Sequence, residues 1–295
     1  MARWIGWLWA CAVLGMAGCG RGKPRPEPVG DPPAGRVRQP AVAGAFYPGS
    51  ADSLRSMVDG FLAQAAAKHI PGLRALVCPH AGYRYSGPIA ASGFKQLAGL
   101  GFDQVVVMAP SHHVRFSGVA VPDVDSFGTP LGTIPVSARA RELVHHSPFV
   151  LDSAPHQREH ALEVELPFLQ RVLGRFELVP LVFGAVDEAK VALGLDSLVG
   201  PKTLLVASSD LSHYYPYDQA VTLDRGTIDA ILRLDVAALA DAEACGKGPI
   251  LALVELARRR GWKAELLDYR NSGDTAGDRS RVVGYAAIAF REGGG

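Results

Sequence analysis

Three apolar stretches of the chain end in residues that can do chemistry. Ala75–Cys78 runs into Pro79-His80, Gln104–Ala109 into Pro110-Ser111-His112-His113, and Thr203–Ala207 into Ser208-Ser209-Asp210, with His213 three residues further on. A neutral imidazole is a metal ligand or a proton-transfer group. A carboxylate beside it serves as an acid/base partner or as an orienting group. In open α/β sheets, ligands bind beyond the carboxyl ends of the strands. Three strand ends that deliver His, His and Asp/His therefore point to one shared site.

The positions differ in what they offer. Pro79 stiffens the approach to His80 and stops the strand ladder, and Gly82 and Gly87 are read as permitting a tight turn after it. A histidine at such a rigid exit has the locked rotamer a ligand needs. His112 and His113 are neighbours whose side chains diverge, so one of the two is expected in the site. If Ser209 or Asp210 caps a helix, Asp210 and His213 share a face as an acid/base or orienting pair; capping alone is the alternative. His160 and Glu163 lie three apart on a helix whose core stripe is Leu162, Leu166, Leu169 and Leu173. That spacing suits helical ligand pairs and purely structural pairs alike. Cys245, in Ala244-Cys245-Gly246-Lys247-Gly248-Pro249, precedes a helix start, where a thiol's pKa is lowered and the ligand form favoured. Two histidines with that thiol would suit Fe(II), Zn or Cu.

The elements that must position these groups follow from hydrophobic patterning. Continuous Val/Leu runs at Gln104–Ala109, Leu178–Phe183, Thr203–Ala207 and Val282–Phe290, with the shorter Ala75–Cys78, read as strands covered on both faces. Helical patterns lie between them at Ser53–Ala67, Ile89–Leu100, Glu159–Leu173, Ala189–Leu198, Asp224–Leu232 and Gly248–Arg259. The alternation predicts a single α/β domain with a central, mostly parallel or mixed sheet flanked by helices. No internal repeat is present.

The N-terminus reads differently. Arg3 is followed by an apolar run to Ala17 that is too short to span a bilayer and has the layout of a secretory signal. Leu14-Gly-Met-Ala-Gly-Cys19 resembles a bacterial lipobox, which implies cleavage before Cys19 and lipid on its sulfur. Residues 1–18 are thus expected to be a lipoprotein signal peptide, 19–36 a Pro-rich tether and 37–293 the globular domain, exported and lipid-anchored with its domain facing the periplasm or cell exterior. Hydrophobic residues make up 48% of the chain, and 30 Lys and Arg stand against 29 Asp and Glu. A large core can be buried, and the neutral balance gives no support to a nucleic-acid partner. Of four cysteines, Cys11 would leave with the signal and Cys19 would be lipidated. Cys78 and Cys245 remain, and in an oxidising compartment such a pair is often a disulfide.

Six segments in order, Val42-Ala-Gly-Ala-Phe-Tyr47-Pro, Pro79-His80-Ala-Gly-Tyr83, Ala109-Pro-Ser-His112-His113, Glu159-His160-Ala-Leu-Glu163, Ser208-Ser-Asp210-Leu-Ser-His213 and Cys245-Gly-Lys-Gly-Pro, together resemble the MEMO family, whose bacterial members are also called AmmeMemoRadiSam system protein B. The similarity runs from about Arg38 to Phe290. It implies a fold like that of the class III extradiol ring-cleaving dioxygenases. It also implies a pocket in which the residues matching His80, His112 and Cys245 bind one ion, iron or copper, with those matching Asp210 and His213 nearby. With the His160/Glu163 pair read from spacing, Asp210, His213, His160 and Glu163 are the catalytic candidates, and zinc is the alternative ion that the donor set itself allows. The dioxygenases use two histidines and a carboxylate, so a cysteine in the third place departs from ring-cleaving chemistry.

Three functional classes follow. One is a metal-dependent, dioxygenase-like oxidoreductase. The second is a non-catalytic module that captures a peptide or small ligand with Phe46, Tyr47, Tyr83, Tyr85, Tyr214 and Tyr215 around the same pocket. The third is a structural role with a Cys78–Cys245 disulfide and no metal. A serine hydrolase lacks support, because no Gly-x-Ser-x-Gly elbow accompanies Ser111, Ser208 or Ser209.

Overall fold

A computed structural model describes Met1 and residues 35–293. The signal, the lipid-bearing Cys19 and nearly all of the tether expected from the sequence lie outside the described residues. Among those described, no helix is long and apolar enough to cross a membrane.

Twelve strands occur among the described residues. In chain order they are β1 (Val37–Arg38), β2 (Leu73–Cys78), β3 (Gln104–Pro110), β4 (Val119–Val121), β5 (Ser126–Thr129), β6 (Gly132–Pro135), β7 (Phe149–Leu151), β8 (Glu177–Phe183), β9 (Thr203–Ser208), β10 (His213–Tyr215), β11 (Lys263–Asn271) and β12 (Val282–Arg291). β1, β5 and β6 form a small separate sheet. The others make one mixed sheet in the order β10-β12-β2-β9-β3-β8-β4-β7, with β11 also paired to β12. Its centre, β2-β9-β3-β8, is parallel. β12 runs antiparallel to β2, and β4 antiparallel to β8. The carboxyl ends of β2, β9 and β3 therefore leave the sheet side by side at the same edge.

The central strands are apolar through their middle positions on both faces, because helices cover both sides of the sheet. Ala75, Val77, Val106, Met108, Leu205 and Ala207 face the core beneath helices Glu188–Leu198 and Lys247–Arg260. The intervening Leu76, Cys78, Val105, Val107, Leu204 and Val206 face the core formed with helices Ala51–Gln64, Tyr83–Phe94 and Ala161–Leu173. Side chains of a strand alternate between faces, and each buried Val or Leu contributes ~1.5–3 kcal/mol. A charge at Val106, fully buried on β3, would disrupt the layer on which the site rests.

Two local readings need correction. The segment after His80 is not a turn spanning Gly82 to Gly87. Gly82 is the N-cap of helix Tyr83–Phe94, and Gly87 lies inside that helix. A Cβ at Gly87 would stand 2.5 Å from the Phe61 ring, so glycine is there for close helix packing. Residues 208–213 do not open a helix either: the chain leaves β9 and enters the short strand β10 at His213.

Candidate metal centre

The site is built from strand exits, a helix start and one loop. His80 follows β2, His112 follows β3, and His160 is the N-cap of helix Ala161–Leu173. One nitrogen from each of these three imidazoles lies within 4.8 Å of the others. The rings of His112 and His160 are stacked with centroids 4.6 Å apart, and His80 meets them edge-on at 5.3 and 5.5 Å. The cluster runs from buried His80 through half-buried His160 to solvent-facing His112.

Each of two imidazoles is held by its Nδ1. His80 Nδ1 is 2.8 Å from Ser208 Oγ, and His112 Nδ1 is 2.8 Å from Glu159 Oε1. That leaves their Nε2 atoms for the cluster. Glu159 also accepts the backbone N–H groups of His112, His160 and Ala161 at 2.7–2.9 Å. Burial alone would raise its pKa, but the bonds from His112 and from backbone N–H groups prevail and bring it down to about 2. It is a fixed carboxylate. Burial and the neighbouring imidazoles push His80 well below the usual histidine value, and burial brings His160 down to about 4. Both are neutral at neutral pH, which is the ligand form.

Cys245 reaches the same site from its loop. Its Sγ is 3.2 Å from His80 Nε2 and accepts the Asp210 N–H at 3.2 Å. Cys245 N–H donates back to the Asp210 carbonyl at 3.2 Å, and Gly246 N–H to Ser209 Oγ at 2.9 Å. Gly246 makes this approach possible, because a Cβ there would fall 2.4 Å from the Ser208 carbonyl. Contrary to expectation, the helix start does not lower the thiol's pKa. Burial raises it, and the Asp210 carboxyl adds to the rise.

Asp210 is buried against His80, whose backbone N–H donates to its Oδ1 at 2.9 Å; Ala81 N–H donates at 3.3 Å. Burial lifts its pKa to about 7 despite these bonds. It braces the His80 turn and caps no helix. His213 turns its Nδ1 to the Leu211 carbonyl at 2.8 Å. Burial lowers its pKa.

Residues 38–289 match the sequence model of a family described as Memo-like protein. The chain belongs to this family. A MEMO1 family protein of Sulfolobus acidocaldarius is 38% identical over 281 residues, covering 86% of this chain and 99% of that protein. One from Methanosarcina barkeri is 40% identical over 270 residues, with 85% and 99% covered. One from Archaeoglobus fulgidus is 38% identical over 270 residues, with 86% and 100% covered.

Within this Memo-like domain the sequence-selected residues take distinct places. Of the neighbours His112 and His113, His112 joins the cluster, while the ring of exposed His113 lies 6.1 Å from His160. The third imidazole is His160, chosen from sequence as a catalytic residue; Cys245, chosen as a ligand, stands against His80. Glu163, expected to share a face with His160, is committed elsewhere. It pairs with buried Arg38, accepts the Tyr47 hydroxyl and takes the N–H groups of Ala41 and Val42. Cys78 and Cys245 are both free thiols. Cys78 is packed under the helix at Gly93. The orienting roles of Ser208 on His80 and of Glu159 on His112 leave no signal in the sequence, because no spacing ties residue 208 to residue 80 or residue 159 to residue 112.

The donor set fits a first-row transition ion. Imidazole suits Zn, Cu and Fe, and an adjacent thiol suits the same metals. Nitrogens on a shared ion at ~2.1 Å lie ~3–4 Å apart, so the rings need to close by under ~1 Å each.

Proposed function

We propose that this chain is a metal-binding redox protein of the Memo-like family, holding one iron or copper ion at His80, His112 and His160 with the Cys245 thiol beside it. The convergence of three imidazoles, two with Nδ1 already engaged, carries this reading. Such an ion supplies Lewis-acid or one-electron redox chemistry when bound. The chain's own part is to hold His80 and His160 neutral, to brace His80 through Asp210, and to keep a protonated thiol against His80. The lineage to class III dioxygenases belongs to this proposal as a matter of fold. Their two histidines and carboxylate are replaced here by three histidines and a thiol, so the proposal stops at redox chemistry and does not extend to ring cleavage. The same proposal puts the domain outside the cytoplasm on a lipid anchor at Cys19, a reading supported by the signal-like pattern of residues 1–18 alone.

A second reading, capture of a small or peptide ligand without turnover, is favoured by exposed aromatic side chains. Tyr214 is 62% exposed and Tyr85 39%. Arg281 lies over Tyr214, and Arg84 over Tyr85. Flat faces backed by guanidinium groups suit aromatic or anionic ligands.

Metal analysis after anaerobic purification, with one equivalent of Fe(II) or Cu added, tests the first reading. One ion per chain is expected, lost in His80→Ala, His112→Ala and His160→Ala. No bound ion under either loading would end it. Turnover of an aromatic compound by the loaded protein would count against the second.

A further inference from the structure

Behind His80 lies a fully buried acid, Glu165. Glu165 sits on the inner face of helix Ala161–Leu173, 1% exposed, with Oε1 2.6 Å from Ser208 Oγ. Its Oε2 has no partner among the described residues. The same Ser208 Oγ is 2.8 Å from His80 Nδ1 and 2.8 Å from the Ala161 carbonyl oxygen. One hydroxyl oxygen thus makes three close polar contacts.

Each such contact needs one proton, and Ser208 has one to give. The Ala161 carbonyl cannot donate, so it takes the serine proton. The other two partners must then bring their own: His80 a hydrogen on Nδ1, and Glu165 a hydrogen on Oε1. Any other allocation leaves two lone pairs, on two oxygens or on Ser208 Oγ and His80 Nδ1, facing each other at 2.6–2.8 Å with no proton between them. An ionised Glu165 would also leave a charged Oε2 buried without a partner, which is far costlier than a lone carbonyl oxygen. Burial pushes the Glu165 pKa well above the usual carboxylate range, in keeping with this allocation.

We infer that Glu165 is a neutral carboxylic acid that donates its proton to Ser208, and that this donation fixes His80 with hydrogen on Nδ1 and its Nε2 lone pair facing the metal centre. Glu165 and Ser208 are positioning residues, and the inference deepens the metal-binding reading on which its affinity test rests. The Nε2 lone pair meets the Cys245 thiol in the metal-free protein, with S–H as donor, so the sequence of protons is complete from Cys245 to Glu165.

Three measurements test this. Infrared difference spectra of metal-free protein against Glu165→Gln at neutral pH should show the carbonyl stretch of a protonated carboxylic acid that the variant lacks. Nitrogen-15 spectra should show His80 protonated at Nδ1, and a mixture of tautomers in Ser208→Ala. Co(II) titration should show affinity falling ~10–100-fold in Glu165→Leu and Ser208→Ala. Glu165→Gln, whose amide N–H replaces the acid's O–H, should stay within about threefold of the parent. A merely structural Glu165 would lower stability in Glu165→Leu while leaving the affinity of the folded fraction unchanged. That result overturns the inference, as does the absence of a Glu165-dependent acid band or a hydrogen on His80 Nε2. If Glu165→Leu does not fold, the infrared and nitrogen-15 results still decide. Failure of the parent to bind Co(II) would count against the metal reading alone, since the two spectroscopic tests need no metal.

Discussion

The two sides of the histidine cluster are held by carboxyl groups in opposite states. On the solvent side, Glu159 is an anion saturated by His112 and three backbone N–H groups. On the core side, Glu165 has a single partner, Ser208, and one bare oxygen. Between them in sequence, Glu163 is an anion paired with Arg38. Three buried glutamates within one short stretch thus behave in three ways. Residue type and burial do not decide ionisation; the number of donors aimed at the group does.

The largest break in this comparison is expected at the ion pair. Arg38→Met removes the counter-charge of the buried Glu163 carboxylate, leaving it only the neutral donors Tyr47, Ala41 and Val42, and frees the carbonyls of His156 and Glu159 that Arg38 now caps. Removing one partner of a buried pair costs ~3–5 kcal/mol, read as a loss of stability in urea unfolding. A loss under ~1 kcal/mol would show that the anion is not held there by Arg38.

A somewhat smaller effect is expected from pH at His156, which lies under the same network. Burial lowers its pKa to about 4; its Nε2 faces the Ala120 carbonyl at 3.0 Å, and Nδ1 has no partner among the described residues. A lowered histidine pKa stabilises the fold above the unfolded value near 6.5, and that stability is lost as pH falls from there toward 4. The loss amounts to on the order of 3 kcal/mol. Asp210, raised to about 7, acts in the opposite sense: its contribution weakens as pH rises toward 7. The difference between the parent and His156→Gln isolates the histidine, and the parent should lose more stability between pH 6.5 and 4. Equal losses would contradict the buried neutral imidazole.

The sharpest contrast comes from one substitution made twice. Glu159→Gln removes the charge that four donors require and should weaken metal affinity ~10–100-fold. Glu165→Gln replaces one neutral donor by another and should leave affinity nearly unchanged. Equal responses in metal titrations would erase the distinction between the two sides.

Much of this frame was legible in the sequence, for a physical reason. β3, β8, β9 and the long part of β12 are buried on both faces, so their Val/Leu runs stand out, and the residues that follow them mark the site edge. The short strands β4 and β7 have three residues each, and β5 and β6 carry Gly, Thr and Pro, so none of the four shows a period of its own. β11 lies at a partly exposed edge, where polar residues interrupt it. The site was legible as residue types at strand ends. Its finer structure was not, because Ser208 finds Glu165 and His112 finds Glu159 only once separate chain segments pack together. The membership of His160 likewise depends on its position at a helix start, where the chain turns it toward the two strand exits.

The central claim is that three imidazoles share one ion. A crystal structure of the anaerobically loaded protein, with anomalous data collected on both sides of the iron or copper absorption edge, tests it most directly. A single peak is expected ~2.1 Å from a nitrogen of each of His80, His112 and His160. A peak elsewhere, or full metal loading with none of these three nitrogens in contact, would contradict it.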